Sequence, residues 1–211
     1  CSEVPRDYSG IHSILERATA RDWRTHEIPR QYRLEGETGL ESDQTVIGLE
    51  SADAARAYPL TVLWDHEVVN DVVGGSPVLV TYCPLCRSGM VAERRLEGEV
   101  TRFWASGHLW IAPAAREAAA ADDGRVFGAG QRGGAGEPLR HNRNLVLVDE
   151  ATGSFWSQIL ARSICGDLEG RSLSLVPSSV TTWADWRSRH PATDVLLPPP
   201  HSTTNRGRPL R

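Results

Sequence analysis

Two apolar runs, Glu67–Val73 and Pro77–Tyr82, meet across Gly74-Gly75, and the second leads directly into Cys83-Pro84-Leu85-Cys86. A glycine pair between β-branched runs has the chemistry of a tight hairpin, because both central positions of such a turn favour positive φ. The segment therefore predicts two antiparallel strands. The first cysteine arrives at a fixed depth at the end of one strand, and a short turn returns the second beside it.

The same punctuation recurs from Val46 onward, where short apolar runs alternate with Gly, Pro, Asn and Asp. Antiparallel sheets with tight turns read this way. Strands are predicted at 45–49, 55–60, 67–72, 78–82, 90–96, 100–105, 145–149, 154–158 and 172–176, with further hairpin turns at Glu97-Gly98 and Ala151-Thr152-Gly153. Thr182 followed by Asp185 resembles a capping box, opening a helix over 183–189 that Pro191 stops. Trp183 and Trp186 on that helix are expected to pack against the sheet.

The expected fold is thus mainly β: a single antiparallel β-rich domain over residues 45–197, barrel- or sandwich-like, with a C-terminal helix. Residues 1–44 read as a flexible leader with one short helix around Ile11–Leu15. Residues 112–136, Ala-rich and then Gly-rich, read as an insertion. The Pro-, Ser-, Thr- and Arg-rich segment 198–211 lacks the apolar content to order itself.

At 211 residues the chain has room for one sizeable core. Its net charge of −4 and pI near 6.0 lack the basic excess that neutralises phosphates, which argues against a nucleic-acid partner. All 23 basic residues are Arg, a feature of coding bias rather than binding. No run of about 18 apolar residues is present, so no transmembrane span is expected. A chain beginning Cys1-Ser2 is what lipoprotein signal cleavage leaves, with Cys1 as lipid anchor; a boundary cut there for other reasons is the alternative. The first reading predicts an extracytoplasmic protein. Four cysteines are too few for a disulfide framework in a chain this long, and in an oxidising compartment Cys83 and Cys86 are at risk of pairing with each other.

Thiolates at i and i+3 around a tight turn supply half of a tetrahedral metal site. A zinc ribbon needs a second such pair, and Cys1 and Cys165 are single and far apart. His66 is the strongest third ligand, since it precedes Glu67 on a strand that the glycine turn should pair with the strand delivering Cys83. Met90 or water would complete the set, and His108 and His141, which flank the insertion, are further candidates. A Cys₂His set suits copper or zinc, copper first, rather than hard oxygen-seeking ions. Glu67 is the candidate base for oxidoreductase or metal-assisted hydrolytic chemistry, and Asn70, Asp71, Tyr82, Trp156 and Gln158 are candidate pocket residues, for which ordinary packing is the competing account.

Two other readings stay open. In one, Cys83 attacks and Cys86 resolves in thiol–disulfide exchange. Cys-Pro-x-Cys occurs in glutaredoxin-like proteins, but there it opens a helix, whereas Ser88–Leu96 here reads as strand and turn. In the other, the domain is a non-catalytic binding or structural module for a small molecule or protein partner. Serine hydrolase chemistry at Ser157 lacks the G-x-S-x-G turn.

The sequence resembles a bacterial and archaeal family catalogued as domain of unknown function 3179, found in exported or lipid-anchored proteins, over roughly Val46 to Leu197. The resemblance rests on Ala55-Arg56-Ala57-Tyr58-Pro59-Leu60, His66-Glu67-Val68-Val69-Asn70-Asp71, Gly74-Gly75-Ser76-Pro77-Val78, Val80-Thr81-Tyr82-Cys83-Pro84-Leu85-Cys86, Thr152-Gly153-Ser154-Phe155-Trp156-Ser157-Gln158, and Thr181-Thr182-Trp183 through His190-Pro191. It implies an exported β-rich domain and brings no activity with it. This chain departs from the family pattern by about 25 extra residues after the Ser106-Gly107 segment.

Overall fold

The computed structural model describes residues 40–114, 117 and 144–196. The expected leader helix, Cys1, His141, most of the 112–136 segment and the 198–211 segment lie outside these residues. The described chain is mainly β and mainly antiparallel. It runs β1 (Thr45–Ser51), β2 (Ala54–Pro59), α1 (Leu60–His66), β3 (Val68–Val73), β4 (Ser76–Cys83), β5 (Ser88–Glu93), β6 (Arg95–Leu96), β7 (Glu99–Val100), β8 (Phe103–Trp110), β9 (Asn144–Asp149), β10 (Phe155–Ser157), β11 (Arg162–Cys165), β12 (Ser178–Thr182), α2 (Trp183–Arg189) and β13 (Asp194–Val195). No helix among the described residues is long and apolar enough to cross a membrane.

Three sheets stack rather than close into a barrel. The outer ones are ordered β12-β1-β2-β13 and β11-β10-β9-β8, and the short sheet β3-β4-β5 lies between them. Alternation along the strands explains the layering, because successive side chains point to opposite faces. Val69, Val73, Val78, Val80, Tyr82 and Val91 join Ile47, Leu49, Tyr58 and the α1 residues Leu60, Val62 and Leu63 in one core. Val68, Leu79, Cys83, Met90 and Ala92 turn the other way, into a second core with Phe103, Ala105, Leu145, Leu147 and Trp156. Strand β4 is buried from Pro77 to Cys83, which is why its sequence is an almost unbroken apolar run. Each fully buried Val or Leu contributes about 1.5–3 kcal/mol, so this sheet is the anchor of the fold.

The glycine hairpin forms as expected, with Gly74 at φ 56° and Gly75 at φ 81°, and β3 pairs with β4 from Val68↔Thr81 to Val73↔Ser76. The helix over 183–189 also forms, with the Thr182 hydroxyl accepting from the Asp185 N–H at 3.2 Å. Its Trp183 and Trp186 pack on Val46, Ala57 and Val195. Gly48 makes room for this packing, since a Cβ there would run into the Trp186 ring.

Three expectations are corrected. The run expected as a strand to Leu60 turns at Pro59 into α1, so His66 ends a helix instead of starting a strand. Residues 172–176 pair with neighbouring strands through single bridges, Arg162↔Ser172 and Ala92↔Leu175, and form no ladder. Strands β11, β12 and β13 form where none was expected. Their inward positions are filled by Ser, Cys and Thr as often as by aliphatic residues, which hides the period-2 signal.

Candidate redox site at the β4–β5 turn

Strand β4 ends at Cys83, whose register partner across the turn is Ser88 on β5. Pro84 to Arg87 form the turn, and Cys83 and Cys86 are joined in a disulfide with their Cα atoms 5.3 Å apart. No described cysteine is a free thiol. The two sulfurs differ in access: Cys83 is 1% exposed and belongs to the core beneath the central sheet, whereas Cys86 is half-buried at its edge. Leu85 between them is 49% exposed.

A buried polar network lies beneath the turn. Gln158, held after β10, accepts from the Ser88 hydroxyl through Oε1 at 2.9 Å, and its Nε2 donates to the Ser88 carbonyl at 2.9 Å and to Thr81 Oγ1 at 3.1 Å. Asn144 donates to Ser88 Oγ at 2.9 Å and accepts the Ile159 N–H at 2.9 Å. In a low-dielectric interior such a satisfied network fixes one geometry, because leaving any member unpaired is costly. The turn is therefore fastened to the sheet containing β9 and β10 as well as to its own.

On the other flank, β3 starts late. Glu67 follows α1 with φ 53°, donates its N–H to the Leu63 carbonyl at 2.8 Å, and accepts the Tyr82 N–H at 2.8 Å. Its backbone thus lies beside the residue preceding Cys83. Arg87, next to Cys86, also has a left-handed φ of 52°. Ala52, Glu97 and Ala161 share this conformation at other turns, at a cost on the order of 1 kcal/mol each.

The Glu67 side chain is 4% exposed and, among the described residues, has no hydrogen bond or ion pair. Burial disfavours its charged form and raises its pKa from 4.5 to about 8. It holds a proton near neutrality. Burial also raises the Tyr82 phenol, with the Arg87 charge acting in the opposite direction.

The remaining candidates divide. Met90 shares the core beneath the sheet with Cys83, and His66 is buried at the end of α1. His108 lies in the bulge of β8, its ring 6.1 Å from that of Phe155. Among the described residues no three His, Cys, Asp or Glu side chains converge as a metal site.

Asn70 clamps β3 to β8 by exchanging bonds with Phe103 N and O at 2.8 and 2.7 Å. Asp71 stands at the far end of β3, where it accepts from Arg56 Nη1 at 2.6 Å, Tyr58 Oη at 2.7 Å and Val72 N at 2.6 Å. Trp156 is core, edge-on to Phe103 at 5.8 Å, with Nε1 donating to Asp149 at 2.8 Å. Asn70, Asp71 and Trp156 build the scaffold, while Tyr82 and Gln158 adjoin the cysteine turn. Sequence reasoning missed Ser88, Asn144 and Thr81. Ser88 carried a signal in its position two residues after Cys86, whereas Asn144 carried none.

No curated protein and no solved structure matches this chain. A family model described as "Protein of unknown function (DUF3179)" matches residues 28–113 and 134–209, two blocks that flank residues 114–133. With most of its length matched, including the hairpin, the cysteine turn and Gln158, the chain belongs to the DUF3179 family.

Proposed function

We propose that this protein is an exported thiol–disulfide exchange protein whose working group is the Cys83–Cys86 pair. The observation that carries this reading is the disulfide itself, set at a half-exposed strand-end turn and held from below by the Gln158–Ser88–Asn144 network. Structural stapling explains it poorly. A disulfide closing a loop of four residues removes only about 2 kcal/mol of unfolded-chain entropy, against nearly 5 for a loop of about 100 residues. The network is more support than such a small staple requires.

The motif leads into β5 rather than a helix, so no helix dipole assists either sulfur. A disulfide of this kind belongs to an oxidising compartment, which supports export.

A second reading uses the same sulfurs after reduction. The dithiol is a soft donor pair suited to copper or zinc, and the backbone bond from Tyr82 to Glu67 brings the His66-Glu67 segment alongside it.

Reduced protein mixed with insulin tests the first reading. Cleavage of the insulin disulfides, abolished in Cys83→Ser and Cys86→Ser, is expected. Stoichiometric copper or zinc on the reduced protein, without any exchange, would favour the second.

A further inference from the structure

We infer that Cys86, not Cys83, is the sulfur that meets the substrate, and that the substrate is a cysteine-bearing polypeptide with apolar side chains beside its thiol. The inference rests on the exchange reading above and specifies its reacting atom and its partner.

Access decides the atom. Nucleophilic displacement at a disulfide needs an approach to one sulfur along the S–S axis, with the other sulfur leaving. Cys83 is sealed at 1% exposure among Leu79, Met90 and Trp156, while Cys86 lies at the edge of that core. A substrate thiolate therefore forms its bond to Cys86 Sγ. The Cys83–Cys86 bond breaks, and Cys83 leaves as a thiolate that takes up a proton. A second substrate thiolate then attacks the substrate sulfur of the mixed disulfide and releases Cys86. The substrate dithiol loses two electrons and becomes a disulfide, the Cys83–Cys86 pair gains them, and the two thiol protons pass from substrate to protein.

The surroundings of Cys86 indicate the partner. Leu85 is 49% exposed, and Ile159 and Leu160 are 64% and 50% exposed. These belong to one rim, because Asn144 bonds both the Ser88 hydroxyl and the Ile159 N–H, and Gln158 bonds Ser88 twice. Exchange with the disulfide takes a thiolate, and a thiolate carried among apolar side chains gains from covering this rim. A small charged thiol such as glutathione gains nothing from it.

The test uses two synthetic dithiol peptides, one with Leu and Phe beside its cysteines and one with Ser there, together with glutathione. Wild-type protein should oxidise the apolar peptide about tenfold faster than the Ser peptide at equal concentration, with the advantage reduced in Ile159→Ser. In Cys83→Ser, oxidised with the apolar peptide, a mixed disulfide should accumulate at Cys86. Acid-quenched wild-type intermediates should map by mass spectrometry to the same sulfur, which covers the case in which Cys83→Ser folds poorly. Adducts on Cys83, or equal rates for both peptides and glutathione, would overturn the inference while leaving exchange intact. A wild-type disulfide that no thiol opens would instead overturn the exchange reading itself.

Discussion

Gln158 and Ser88, 70 residues apart in sequence, are joined twice: the Ser88 hydroxyl donates to Gln158 Oε1, and Gln158 Nε2 donates to the Ser88 carbonyl, both at 2.9 Å. This pair couples the turn that carries the disulfide to the sheet beneath it. Gln158 is 1% exposed, so truncating it strands buried partners on Thr81 and Ser88. Gln158→Ala is expected to cost about 2–3 kcal/mol in urea unfolding and to change the ease with which the disulfide is reduced. A loss of stability with unchanged reduction would restrict Gln158 to packing.

Glu67 gives the fold a pH dependence of definite sign. Its folded pKa of about 8 exceeds the ordinary 4.5, so between these values the folded state keeps a proton that the unfolded chain has lost. Stability from this group is full below about pH 4.5, falls by about 1.4 kcal/mol per pH unit through the window, and levels off above about pH 8. Glu67→Gln should flatten that slope and stabilise the protein at pH 8. Urea midpoints at pH 5, 7 and 9 check this, and parallel curves for the two proteins would contradict it.

Asp71 reads as a scaffold residue, pinned by Arg56 and Tyr58 at the end of β3 away from the cysteines. Asp71→Asn should destabilise by about 3 kcal/mol, since it leaves a largely buried guanidinium without its main counter-charge. Tyr58→Phe should cost about 1 kcal/mol. The double variant should cost less than the sum, because both changes remove the same contact. Thiol–disulfide exchange should survive Asp71→Asn under conditions where the protein remains folded.

Much of the β architecture was legible because the central sheet obeys simple rules. Gly74-Gly75 specified the hairpin, the apolar run before Cys83 specified a strand, and Thr182 with Asp185 specified α2. Helix α1 was obscured because Thr61, Val62 and the apolar residues around them continue a strand-like composition. Only Pro59 at its N-cap and the Leu60–Leu63 spacing hinted at a helix. Strand β12 is Ser-Ser-Val-Thr-Thr, with its one aliphatic residue, Val180, 65% exposed, so no inward apolar period exists to be read.

The site was legible in part. Cys83, Cys86, Glu67 and Gln158 were singled out from spacing and composition. The difference in access between the two sulfurs, and the bridge from Asn144 to Ser88, depend on sheets that are distant in sequence and meet only in the fold.

The most direct measurement of the central claim is the equilibrium of the Cys83–Cys86 disulfide in glutathione redox buffers, followed by alkylation and mass spectrometry. An exchange site should titrate reversibly, with two thiols appearing on Cys83 and Cys86 at a potential above about −300 mV, the range of labile and catalytic disulfides. A pair that stays closed until well below that potential, or opens only when the protein unfolds, would be a structural bond and would contradict the account.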